Sequence, residues 1–250
     1  MRLTLPPRMR LVLALLVLLA ASLAATASAQ DAPADTLVLR PGDPTLVTDW
    51  LATGSQATAM KLVEPMQQDV GTSTDTYTVA GGRVTKVTTL SVPMQGMNQR
   101  DSVVVMAGTL APLTHHSTGG RSTVSLEFMD EGVVGLMTPR SGEATTVMAM
   151  TDAPVFDGAW TAEIIRSLPF AEGYVAKVAL FMAEASADEA TEIVVAVTGQ
   201  ETVDDRLGWT VDADLGPFSM TYVVDAETRD LLVTRMSPQP GVAIEMVPAE

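Results

Sequence analysis

The chain has 250 residues, a formal charge of −15 and no cysteine. An acid excess of this size opposes binding to nucleic acid, whose affinity comes largely from Lys and Arg neutralising phosphates. It equally opposes adhesion to anionic lipid headgroups. Without cysteine there are no disulfides, so an apolar core must hold the fold.

The N-terminus carries Arg2, Arg8 and Arg10 ahead of an uncharged apolar run, 11–21, and Ala27-Ser28-Ala29 then supplies the small residues that a signal peptidase needs. Cleavage is expected after Ala29, with Gln30 as the first mature residue and residues 1–29 as the signal peptide. Three Arg and no acid precede Gln30, so the formal charge moves from −15 to −18 on processing. No cysteine follows the apolar run to accept a lipid, and no later stretch reaches the roughly 20 apolar residues of a bilayer span. An exported chain, periplasmic or extracellular and without a stable membrane anchor, is the expectation.

Residues 30–42 read as a flexible mature N-terminus, and 43–250 as one β-rich domain. Asp43-Pro44 has the form of a helix start, with Leu46, Val47, Trp50 and Leu51 at helical spacing and Gly54 to end the turn, which predicts a short N-terminal helix. The pattern then changes to period two. Met60 and Leu62, then Val124, Leu126 and Phe128, then Val178, Leu180 and Met182, then Phe218, Met220 and Tyr222, and lastly Val242, Ile244 and Met246 each mark one face of a half-buried strand. Compact turns at Gly81-Gly82, Gly119-Gly120, Asp130-Glu131-Gly132, Asp225-Ala226-Glu227 and 238–241 make most pairings antiparallel, because parallel pairing needs a long crossover. The run 193–197 is apolar on both faces and predicts a strand covered on both sides. The segment 158–168 can cover it as a helix, with Asp157 as N-cap, Trp160, Ile164 and Leu168 stacked at i, i+4 and i+8, and Pro169 to stop it. The predicted architecture is mainly β: a curved antiparallel sheet or incomplete barrel wrapping one main helix, with the short N-terminal helix added.

Four segments carry a family resemblance as a set: 152–157 before the helix, 167–174 after it, 197–201, and 222–229 near the end. Together they resemble the domain of unknown function 3108 family of bacterial envelope proteins, over roughly Pro112 to Met246. The resemblance implies a relative of the periplasmic lipoprotein-carrier fold, in which an incomplete barrel wraps a helix and can hold an acyl chain. It implies no activity, because a fold hosts many functions.

Methionine is the compositional anomaly. Met60, Met106, Met148, Met150, Met182, Met220 and Met246 each sit beside apolar residues at every second position, so they are expected to share the inner face of the sheet. Flexible, polarisable thioethers suit either an irregular core or a lining that accepts varied apolar ligands. The leading expectation is therefore a non-enzymatic envelope protein with a Met-rich concave face open to a lipid or other apolar ligand. The alternative is a structural or protein-interaction module, with an envelope protein as partner and a face filled by its own side chains.

Other constellations are weaker. Met94 and Met97, Met148 and Met150, and the histidines could attract Cu(I), yet adjacent His115 and His116 in a strand would point to opposite faces, and the polar stretch 114–121 reads as a solvated loop. No Gly-x-Ser-x-Gly context surrounds a serine, so no catalytic residue, metal or cofactor is expected. Asp204-Asp205, Asp212 and Asp214 lack calcium-loop spacing and read as solvated turns.

Overall fold

The computed structural model describes residues 36–249 apart from Glu184 and Pro217. The expected cleavage site at Ala27, Ala29 and Gln30 lies outside the described residues. The described residues form one sheet of sixteen strands and one nine-residue helix, besides a short 3-10 turn at Pro93–Gln95. The strands are β1 (Val38–Leu39), β2 (Gly54–Glu64), β3 (Gln68–Ala80), β4 (Arg83–Val92), β5 (Met97–Met106), β6 (Pro112–Thr118), β7 (Ser122–Met129), β8 (Gly132–Pro139), β9 (Thr145–Met150), β10 (Phe156–Asp157), β11 (Val175–Phe181), β12 (Thr191–Val203), β13 (Arg206–Asp214), β14 (Ser219–Asp225), β15 (Leu231–Gln239) and β16 (Val242–Pro248). The helix, α1, opens as a 3-10 turn at Gly158–Trp160 and continues as an α-helix over Thr161–Arg166.

The sheet runs β11 to β16, then β2 to β9, with every one of those pairings antiparallel. Short β1 and β10 both pair with β11 in parallel, at Leu39↔Val178 and Phe156↔Leu180. The chain terminus thus supplies β16, which closes the gap between β15 and β2 in the middle of the sheet. Two-residue hairpins fix the register: at Asp204-Asp205, between β12 and β13, both residues take positive φ, +47° and +63°, as the primed turns of tight hairpins require.

The curvature follows from who shares the core. α1 buries Trp160, Ile164 and Ile165, and Leu168 just past its end, against Val178 and Leu180 of β11, Val195 of β12, Val211 of β13 and Val224 of β14 on one side. Tyr77 of β3, Val84 of β4 and Val103 and Val105 of β5 belong to the same cluster. Strands this far apart in sheet order meet one helix because the sheet bends around it. The sheet also curls back on itself: Ala179 and Phe181, on the opposite face of β11, pack with Val124, Leu126, Val133, Val147 and Ala149 of β7, β8 and β9. Phe128 and Phe181 meet edge to face there, 6.3 Å apart.

Three expectations change. The strand covered on both sides is β11 and not 193–197, because the curl brings β7–β9 over its second face; in β12 the buried side chains are Ile193, Val195 and Val197, with Val194 and Ala196 partly exposed. The predicted N-terminal helix is a series of turns. Asp43 accepts from the backbone N–H and hydroxyl of Thr45, and Val47 N–H donates to Ser167 O rather than to a carbonyl of its own segment. Tying this stretch to the end of α1 displaces the local helix ladder. The segment 30–42, read as flexible, contains β1, where Leu39 is fully buried. Among the described residues no helix is long and apolar enough to cross a membrane.

Candidate functional site

Register alternation sorts the methionines. Cross-strand pairs share a face, and Tyr222 faces the helix core, so Thr234, Met246 and Met60, its successive partners across β15, β16 and β2, face inward too. One row further along, Met220, Met236, Ile244 and Leu62 pair in the same order. Met60 and Met236 pack on Leu62, Val70, Val242 and Ile244, whereas Met220 packs on the helix cluster, so the two rows carry apolar surface beyond the region that α1 fills. All four of these methionines are half-buried. Met236, flanked by Arg235 and Ser237, carries no sequence signal that would single it out.

The remaining candidates lie elsewhere. Met148 and Met150 are 60% and 69% exposed, because Val147 and Ala149 take the inward positions of β9. Met106 ends β5 with Val105 inward and is itself exposed. A strand whose two faces are both apolar gives no parity signal, and a one-residue shift moves every side chain to the other face. Met182 lies past the end of β11 and is half-buried. The single inner Met face is thus three of the seven candidates, Met60, Met220 and Met246, joined by Met236.

Beside the Met rows, the inner positions of β3 to β6 turn polar. Asp75, Thr88, Asp101 and Ser117 are successive cross-strand partners. Thr88 donates to Asp75, and Gln99 donates to both oxygens of Asp101. Burial pushes the Asp75 carboxyl up from its ordinary value, against the pull of Lys86 in the other direction. A raised carboxyl favours the protonated folded state, so ionised Asp75 weakens the fold above the ordinary carboxylate range. Asp75→Asn is accordingly expected to raise the melting temperature at neutral pH, with the gain disappearing as the pH falls below that range and the wild-type carboxyl becomes neutral in both states.

Closest to the helix, the polar positions are fully buried. Glu163 accepts from Tyr77 Oη at 2.7 Å and from Lys86 Nζ at 2.7 Å, and Lys86 also donates to Ala159 O. Lys86 Nζ lies 4.9 Å from the centre of the Trp160 ring, close enough for a cation–π contact. Tyr77 and Lys86 are direct cross-strand partners, so the β3–β4 register presents both to one helical carboxylate. Burial, followed by the neighbouring Glu163 and Asp75 charges, pushes the Tyr77 hydroxyl far above its ordinary value, which keeps it a donor. Burial does the same to Tyr222, with Glu163 adding to it. Glu163 thus takes one donor from each of two strands, which fixes where α1 sits on the sheet.

The histidines resolve similarly. The stretch 114–121, expected to be a loop, is mostly strand β6, because its alternate residues His115 and Ser117 are buried. His115 Nδ1 lies 3.0 Å from Asp157 Oδ2, while Asp157 Oδ1 caps the helix start by accepting from Ala159 N–H. His116 points outward and bonds with Ser125. Among the described residues no three His, Asp or Glu side chains converge as metal ligands.

The segments 167–174 and 222–229 meet at the other end of α1. Asp225 accepts from the backbone N–H groups of Glu227 and Thr228, and the turn it forms puts Arg229 at φ +63°. Arg229 then donates to the carbonyls of Arg166 and Leu168, groups that a helix end leaves without internal partners. Its guanidinium lies 4.6 Å from the Phe170 ring, which stacks on Trp209, and Arg166 lies over Trp50 at 3.8 Å. These residues cap and brace the helix.

A curved, mostly antiparallel sheet bent around one braced helix defines a barrel-like β protein. The chain belongs to the family described as "Protein of unknown function (DUF3108)", whose model matches residues 53–240 and so begins well before the Pro112 expected from the resemblance. A solved structure described as a beta-barrel-like protein of domain of unknown function DUF1849 from Brucella abortus is similar to it, with a TM-score of 0.53 and 10% identity over 80% of this chain and 97% of that one. At that identity the likeness concerns the fold. No curated protein matches the chain.

Proposed function

We propose that this is an exported, non-enzymatic envelope protein that binds an apolar or acyl ligand on the inner face of its sheet. The observation that carries the reading is the pairing of Met60 with Met246 and of Met220 with Met236, four half-buried thioethers on the inner face, of which Met220 borders the helix cluster and Met60 and Met236 pack away from it. Met adapts its shape to varied apolar partners, and apolar ligand surface leaving water contributes about 25 cal/mol per Å2. The resemblance to the lipoprotein-carrier half-barrel supports the same use of the same face. The buried polar groups support a non-enzymatic reading, since Glu163 is occupied by Tyr77 and Lys86 and Asp157 by the helix cap. Export rests on the charge and apolar pattern of residues 1–29 and the small residues before Gln30.

A fluorescent fatty-acyl probe tests the reading. Wild-type protein is expected to bind it, and Met60→Gln with Met236→Gln to weaken binding at least about tenfold by placing amides on an apolar wall. Met148→Gln with Met150→Gln changes only the outer face and is expected to leave probe binding intact. Equal loss from both pairs, or no binding by wild type, would count against the site.

The fully buried Trp160, Ile164 and Leu168 favour a second reading, a structural or protein-interaction module whose interior is filled by its own side chains. Absence of probe binding together with a cooperative, stable fold is the outcome that reading expects.

A further inference from the structure

The outer face of β7, β8 and β9 carries apolar side chains that no core position requires. Met129 and Leu136 are each 52% exposed and join Met148 and Met150 there. The register makes them one patch: Met129 and Met150 flank Gly132, which has no side chain to separate them, and Met148 lies beside Val134 in the next row. Behind them, Val124, Leu126, Val133, Val147 and Ala149 are buried against β11, so the patch sits on a rigid backing. Its charge is one-sided. Glu127 lies in the Met148 row, and Asp130, Glu131 and Asp152 surround the Met129–Met150 end, all exposed. The nearest basic residues along these strands, Arg121 and Arg140, sit at the opposite end, joined by a backbone hydrogen bond.

We propose that this patch docks a basic amphipathic segment of a partner protein, its apolar side chains on Met129, Met148 and Met150 and its Lys or Arg side chains on the acidic rim. Charge complementarity selects the occupant. A second copy would set the same four acids against their equivalents, and an anionic bilayer would meet the same repulsion. Thioether flexibility lets one surface seat differing apolar side chains, the property that makes Met common at adaptable docking surfaces. The proposal is independent of the inner-face ligand site, which uses the other side of the sheet.

The test uses the whole mature chain and a fluorescent synthetic peptide helix with lysine on one face and leucine on the other, followed by anisotropy. Binding is expected to weaken about tenfold in Met148→Gln with Met150→Gln, and to stay within about twofold in Met94→Gln with Met106→Gln, which alter exposed Met elsewhere. The outward positions keep the fold, which melting curves check. Glu127→Gln, a smaller change, should weaken binding and flatten its salt dependence. Equal loss from the two Met pairs, or no loss from either, would show attraction to net charge alone and overturn the proposal. So would self-association of the wild type that Met148→Gln abolishes, or binding to anionic vesicles through the same residues.

Discussion

Glu163→Ala is expected to destabilise the protein by about 3 to 5 kcal/mol, the usual result of removing one partner from a buried ion pair. The change leaves Lys86 buried with a single carbonyl acceptor, Ala159 O, and leaves Tyr77 Oη without the carboxylate it donates to. Most of that loss is the penalty of the stranded partners and not the intrinsic value of the pair. Replacing the whole set, Tyr77→Phe with Lys86→Met and Glu163→Leu, should therefore recover much of the stability lost by the single change. Denaturant unfolding with an unchanged m-value measures both. A single variant as stable as wild type would mean that the network does not hold α1 in place.

Trp160→Ala should cost a similar amount, about 3 to 5 kcal/mol, because the ring is completely buried and meets Tyr77 edge to face at 6.5 Å. The same substitution removes the ring beneath Lys86. Trp160 and Glu163 thus share a partner, so combining the two changes should cost less than the sum of the singles. Additive losses would indicate that Lys86 interacts with one of them alone. An unchanged melting temperature for Trp160→Ala would place the helix outside the core.

The helix was legible because its signals are local. Asp157 at the cap, and Trp160, Ile164 and Leu168 at four-residue spacing, lie within a dozen residues; Asp157 caps as expected and all three apolar side chains are buried, although the helix stops at Arg166 and Leu168 packs from just beyond its end. The strands carrying Val124 and Leu126, or Ile244 and Met246, were legible for the same reason. Parity failed where both faces are apolar: the run Val147-Met148-Ala149-Met150 admits two registers, and only the packing of β9 against β11 selects one. The polar strand β3 offered little contrast, since Ser73, Asp75 and Tyr77 face inward while Thr72, Thr74 and Thr76 face outward. Asp43-Pro44 misled because a cap signal is weak against a tertiary bond such as Val47 N–H to Ser167 O. The buried network was invisible for a topological reason. Lys86 and Glu163 are 77 residues apart, and nothing near either names the other.

The inner Met rows should hold an acyl ligand in the native protein. Native mass spectrometry of the protein purified from the cells that make it, under conditions that keep noncovalent ligands, reads this without any added probe. The expected result is a mature chain beginning at Gln30 with a bound acyl-containing species, released on unfolding and depleted in Met60→Gln with Met236→Gln. A wild-type chain that emerges free of any lipid, and takes up none when acyl ligand is added back, would contradict it.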